Sequence, residues 1–202
     1  GQTASAYGID NANITDGTPS SVSYYIDKTA PTTPAISASP SGWTSGNVTI
    51  SAGSAITDAG GSGVSGYYYR CAAGTAWNLS AGTSISFTCT GTGGQTAEAY
   101  AVDGAGNPDT TPSSVVYSRD TTAPETSALT AAPSGWTGSN VTITGSVTDT
   151  GGSGVKGYYY KCAAADGVTF SAGPSISFTC SSTGGQTASA YGIDNANITD
   201  GT

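Results

Sequence analysis

Histidine and methionine are absent from the 202 residues, and Lys and Arg together number five against 13 Asp and Glu. The resulting net charge of −8 leaves no basic surface for the phosphates of a nucleic acid or an anionic lipid, so nucleic acid is excluded as an expected partner. No apolar run approaches the roughly 18 to 20 residues a membrane span requires, so direct membrane insertion is not expected. The opening "GQTASAYGID" shows no charged-then-apolar export signal. Without histidine, a nucleophile and base would have to be found among three lysines and the carboxylates.

Against these absences stand 30 glycines, which make the chain turn-rich, and a length that suits two compact domains. The four cysteines fall as two equal pairs, Cys71 with Cys89 and Cys162 with Cys180, each 18 positions apart. That spacing reads as one disulfide per unit. Zinc is the rival reading of four cysteines, but tight C-x-x-C pairs and histidines are both missing. Disulfides place the protein in an oxidising, extracellular setting, and the missing export signal then marks the chain as an excerpt of something longer.

The chain repeats itself. Residues 1–18, "GQTASAYGIDNANITDGT", return unchanged at 185–202, and 94–111, "GQTAEAYAVDGAGNPDTT", is a looser copy. Two related units therefore alternate, and the pair has a period of 184 residues. "PSGWTSGNVTI" from Pro40 matches "PSGWTGSNVTI" from Pro133, and "SISFTC" from Ser84 returns at Ser175. The segments "DKTAP" at 27–31 and "DTTAP" at 120–124 punctuate the units as stiff, extended joints. The expected organisation is the C-terminal strands of a preceding repeat at 1–27, a complete repeat at 28–120, and at 121–202 a repeat lacking its last strand. The lysines do not repeat: Lys28 aligns with Thr121, Lys161 with Arg70 and Lys156 with Ser65, which leaves no basis for an enzyme.

Runs with period-two alternation between Gly, Pro, Asn and Asp clusters predict about seven strands in the complete unit, near 34–38, 47–51, 66–71, 76–80, 84–89, 95–102 and 113–119. Seven short strands in a unit of this size indicate an all-β fold, a tandem of immunoglobulin-like β-sandwiches. The combination and order of "GWTSGNVTI", "TDAGGSGVSGYYY", "AYAVDGAGN" and "RDTTAP" resemble the bacterial immunoglobulin-like repeats of large surface adhesins. The resemblance covers nearly the whole chain and implies an extracellular, cell-surface array in a bacterium.

Strand parity places the tyrosines of "YYYRC" (67–71) and "YYYKC" (158–162). Tyr67, Tyr69 and Cys71 share one face, as do Ile85, Phe87 and Cys89. In this fold the third and fifth strands lie in different sheets and finish at one end, where the cysteines can staple them. The alanines at 97, 99 and 101 then oppose the bulky tyrosines across the core. Tyr68 and Tyr159 point the other way and are left as exposed candidates for a glycan or partner surface.

The aspartates repeat with the units. Asp58 and Asp149 follow the second strand, Asp103 and Asp194 the sixth, and Asp27 and Asp120 sit in the joints. The sandwich topology would gather Asp27, Asp58 and Asp103 at one joint, and Asp120, Asp149 and Asp194 at the next. Three adjacent carboxylates repel unless a cation joins them, and calcium takes six to eight oxygens at flexible geometry. The resemblance also implies linker ions. The competing role is turn initiation, which aspartate serves in any β protein; the change from "DGAGN" at 103–107 to "DNANI" at 194–198 weakens the likeness of the second set to the first.

Five N-x-Ser/Thr triplets, at Asn13, Asn47, Asn78, Asn140 and Asn197, are glycan acceptors if the source glycosylates asparagine. The expected function is a structural segment of an extracellular filament or adhesin stalk, because exact repetition gives a spacer length. The alternative is a glycan- or host-protein-binding module acting by avidity. Its expected partners are further copies of the same repeat, in covalent tandem or by strand addition, with residues 19–27 of another molecule serving as the seventh strand.

Overall fold

The computed structural model describes residues 1–201, and every regular element among them is a strand. A hairpin opens the chain: β1 (Gln2–Ala6) pairs antiparallel with β2 (Ser20–Tyr24). Eight strands follow in the complete unit, β3 (Ile36–Ser39), β4 (Trp43–Thr44), β5 (Val48–Ala52), β6 (Val64–Arg70), β7 (Asn78–Ala81), β8 (Ser86–Cys89), β9 (Gly93–Asp103) and β10 (Ser113–Arg119). They form two sheets, β3-β5-β8 and β4-β10-β9-β6-β7. The second unit contains β11 (Glu125–Thr126), β12 (Thr130–Ala132), β13 (Val141–Thr148), β14 (Val155–Lys161), β15 (Thr169–Ala172), β16 (Ser175–Cys180) and β17 (Ser189–Asp194). Here β13 pairs with β11, β12 and β16, and a second sheet runs β15-β14-β17.

Each unit is an immunoglobulin-like sandwich of two layers, antiparallel throughout except where β4 joins β10. The seven expected strands occur within a few residues of their predicted places. The addition is β4, two residues that pair in parallel with the end of β10 and so depend on a contact distant in sequence.

Period-two alternation builds the core. Val48 and Ile50 of β5, Phe87 and Cys89 of β8, and Tyr67 of β6 are buried around Ala97, Ala99 and Ala101 of β9, all three of which are fully buried. Tyr69 is partly buried and stacks on Phe87, with ring centroids 4.5 Å apart. Small residues on β9 leave the space that these rings fill, as close packing requires. Gly66 precedes the tyrosines at a register shift in β6, where a Cβ would collide with the carbonyl of Ser80; Gly157 meets Ser171 in the same way.

The sheets are stapled at the end of β6 by Cys71–Cys89, with Cα atoms 5.4 Å apart, and at the end of β14 by Cys162–Cys180, with Cα atoms 5.5 Å apart. Closing a loop of this length contributes about 3 kcal/mol in the chain-entropy account. For units whose cores are this small, that is a substantial part of the total.

Candidate metal centre at the joints

The loop between β5 and β6, the turn after β9 and the incoming linker meet at one end of the complete unit. The carboxylates of Asp27, Asp58 and Asp103 thereby come together, with one oxygen from each within 4.8 Å of the others. Asp120, Asp149 and Asp194 do the same at the second unit. Oxygens bound to one calcium at about 2.3–2.6 Å cannot stand more than about 5 Å apart, so both sets have the right span.

The loop sequence "GGSGV", repeated at 60–64 and 151–155, holds the linker aspartate. Asp27 Oδ2 accepts from the Ser62 backbone N–H at 2.7 Å and from its hydroxyl at 2.8 Å, and Asp27 Oδ1 accepts from Thr29 N–H. The N–H groups of Thr29 and Ser62, then the Ser62 hydroxyl, hold the Asp27 carboxyl down to about 2. Asp120 is treated alike by Ser153 N–H at 2.7 Å and Thr122 N–H at 2.9 Å. Burial pushes the Asp120 carboxyl up, but these donors outweigh it and its pKa falls below the ordinary value. Gly63 and Gly154, both with φ near +80°, donate to Asp58 and Asp149 from a backbone shape that other residues resist. A Cβ at Gly61 would fall onto the carboxylates of Asp27 and Asp58, and one at Gly152 onto that of Asp120.

The two sets differ in the turn that follows the last aspartate, "DGAGN" at 103–107 against "DNANI" at 194–198. Asn107 donates its backbone N–H to Asp103 Oδ1 at 2.8 Å and its side-chain amide to Oδ2 at 2.7 Å. In the second unit the asparagine has moved to Asn195 and turns to the carbonyls of Ser153 and Gly154. Asp194, with no exposed surface, keeps Ile198 N–H on Oδ1 and has no donor for Oδ2 among the described residues. Asp149 Oδ1 and Asp58 Oδ1 are buried and bare as well. Burial pushes the Asp194 carboxyl up against the Ile198 hydrogen bond, and the charges of Asp120 and Asp149 push it further in the same direction. A buried carboxylate oxygen without a donor is costly unless a cation supplies the missing charge.

Ser62, Ser153 and Asn107 escaped the sequence reading, although the repeated "GGSGV" beside two already suspected aspartates was a signal for the serines. Tyr68 and Tyr159 lie on the outward face but are half-buried rather than freely exposed. Tyr68 stacks on Tyr100 at 5.1 Å, Trp77 meets Tyr100 edge-on at 4.7 Å, and the Arg70 guanidinium lies 4.3 Å over Trp77 and pairs with Glu98. Tyr159 stacks on Tyr191 at 5.3 Å and leans on Phe170. The five sequon asparagines are all exposed, Asn13 and Asn197 with positive φ.

No family model matches the chain. Exoglucanase B of Cellulomonas fimi is 41% identical over 143 residues, which is 65% of this chain and 12% of that enzyme, so the chain spans about an eighth of its relative's length. Among solved structures, the fibronectin(III)-like modules of Clostridium thermocellum CbhA align over 81% of this chain and 88% of theirs, at 14% identity and a TM-score of 0.34.

Proposed function

We propose that the chain is a non-catalytic spacer: consecutive immunoglobulin-like units of an extracellular bacterial protein, joined by linkers that a calcium ion fixes to the unit they enter. One observation carries this reading. The same three-aspartate cluster recurs at both joints, and in each it combines the linker's own carboxylate with two carboxylates of the following unit. A spacer benefits from a joint copied along the array, whereas a recognition site gains only avidity from repetition.

Asp27 and Asp120 supply the linker oxygens, Asp58 and Asp149 the oxygens of the second-strand loop, and Asp103 and Asp194 those of the sixth-strand turn. The bare oxygens of Asp58, Asp149 and Asp194 are those a cation would take up. The two disulfides and the likeness to part of a bacterial exoglucanase both support an exported setting. They fit a module of a larger protein, and the spacer of a surface fibre or stalk is the form that a 184-residue period favours.

Calorimetric titration with calcium tests the reading. Two equivalents should bind per chain, one should be lost in Asp58→Ala and the other in Asp149→Ala, and a panel of soluble polysaccharides should give no heat. Absence of calcium binding would return the aspartates to turn formation. Polysaccharide binding abolished by Tyr68→Ala would favour the recognition module instead.

A further inference from the structure

The two joints gather the same three carboxylates but close them differently. In the turns "DGAGN" (103–107) and "DNANI" (194–198), the last backbone N–H plays one part: Asn107 and Ile198 each donate to Oδ1 of the aspartate four residues back, at 2.8 Å. The side chains at that position then part. The amide of Asn107 donates to Asp103 Oδ2 at 2.7 Å and to the Asp27 carbonyl at 3.3 Å, so one nitrogen ties the sixth-strand turn to the incoming linker. Ile198 has nothing to donate. Asp194 Oδ2 is left without a donor among the described residues, on a side chain with no exposed surface.

The asparagine of the second turn does not make up the loss. Asn195 stands at the place of Gly104, and its amide goes to the carbonyls of Ser153 at 2.8 Å and Gly154 at 3.0 Å rather than to a carboxylate. Elsewhere the joints match: Ser62 and Ser153 hold the linker aspartates, and Gly63 and Gly154 hold Asp58 and Asp149. Among the described residues the first joint therefore has a bare buried oxygen on Asp58 alone, whereas the second has one on Asp149 and one on Asp194.

We infer that the residue four places after the sixth-strand aspartate sets how tightly a joint takes its cation, and that the Asp120, Asp149 and Asp194 joint binds calcium more tightly than the joint of Asp27, Asp58 and Asp103. The inference rests on the calcium reading of the joints. Both sites carry three carboxylates, so formal charge does not separate them. What separates them is what an arriving ion must displace. At the first joint, Asp103 Oδ2 becomes a calcium ligand only as the Asn107 amide gives up a hydrogen bond to a charged group. At the second, the ion is the first partner of a buried oxygen that has none, and no bond is broken. Asn107 thus does at the first joint part of what the cation does at the second, fastening the turn to the linker with an N–H donor.

Calorimetric titration of the metal-free 202-residue chain with calcium is the test. We expect two resolved steps whose dissociation constants differ by about tenfold or more, the factor that one hydrogen bond to a charged group supplies. Asp149→Ala should remove the tighter step and Asp58→Ala the weaker. Two exchanges then address the fourth position directly: Asn107→Ala should tighten the weaker step about tenfold, and Ile198→Asn should weaken the tighter one by a similar factor. Melting curves in chelator establish that each variant is folded, and either exchange decides the matter if the other fails to fold. Two equal steps, or a first joint weakened by Asn107→Ala, would overturn the inference and leave the calcium reading standing. Absence of any binding would overturn both.

Discussion

The hydroxyl of Tyr67 makes both hydrogen bonds of Ser86: it donates to the Ser86 carbonyl at 2.9 Å and accepts from the Ser86 N–H at 3.1 Å. Tyr158 and Ser177 repeat the pair at 3.2 and 3.1 Å. β8 is an edge of its sheet, and on that side its backbone has no strand partner. A tyrosine from the opposite sheet satisfies it, which ties the layers together and blunts an edge that would otherwise recruit other strands.

Tyr67→Phe keeps the ring and removes the tie. Two backbone groups lose their partner, and a cost of about 1–3 kcal/mol follows. The expected fall in melting temperature is about 4–8 °C for each kcal/mol in a unit of this size, measured by calorimetry. An unchanged melt would mean that water replaces the hydroxyl without loss.

Replacing Cys71 and Cys89 together by alanine should destabilise the complete unit by about 3 kcal/mol and leave the second unit unaffected. Chemical denaturation followed by the fluorescence of Trp77, which lies in the complete unit, checks this. Equal losses in both units would contradict the assignment of one staple to each sandwich.

Asp109 ties the start of the complete unit to its sixth-strand turn, accepting from Thr33 N–H at 2.9 Å and from the N–H and hydroxyl of Thr111. Burial pushes its carboxyl up, but the donors from Thr33 and Thr111 outweigh this and hold its pKa below the ordinary 3.8. A pKa lowered by folding stabilises the unit fully above the unfolded value and loses that contribution as pH falls through the folded one. Asp109→Asn should therefore be less stable than the parent at pH 7, and the gap in urea midpoint should close below about pH 3.8. A gap constant from pH 7 to pH 2 would contradict this.

Gly152→Ala places a methyl group on the Asp120 carboxylate. The loop must shift and give up the Ser153 bonds, so the substitution should cost about 1–3 kcal/mol and abolish calcium binding at that joint. Gly167→Ala, with open space around it, is the control and should change neither.

Much of this was legible in the sequence because it is local or repeated. Alternation placed Tyr67 and the alanines of β9 in the core, and the copied spacing paired Cys71 with Cys89. The aspartate clusters followed from topology, since each member closes a loop at the same end of the sandwich. What stayed hidden depends on which strands become neighbours. Tyr68 reads as an outward tyrosine, but β6 lies beside β9, and Tyr100 covers it. β4 is two residues long and exists through β10, and Ser62 matters only once Asp27 is brought to it.

Small-angle scattering of the chain, at a concentration where it is monomeric, with calcium and then with excess chelator, tests the central claim most directly. The account predicts an extended profile in calcium, with each complete unit adding roughly 35–45 Å by the strand rise, and a broader distribution of shapes once the cation is withdrawn. Profiles that superimpose with and without chelator would contradict it.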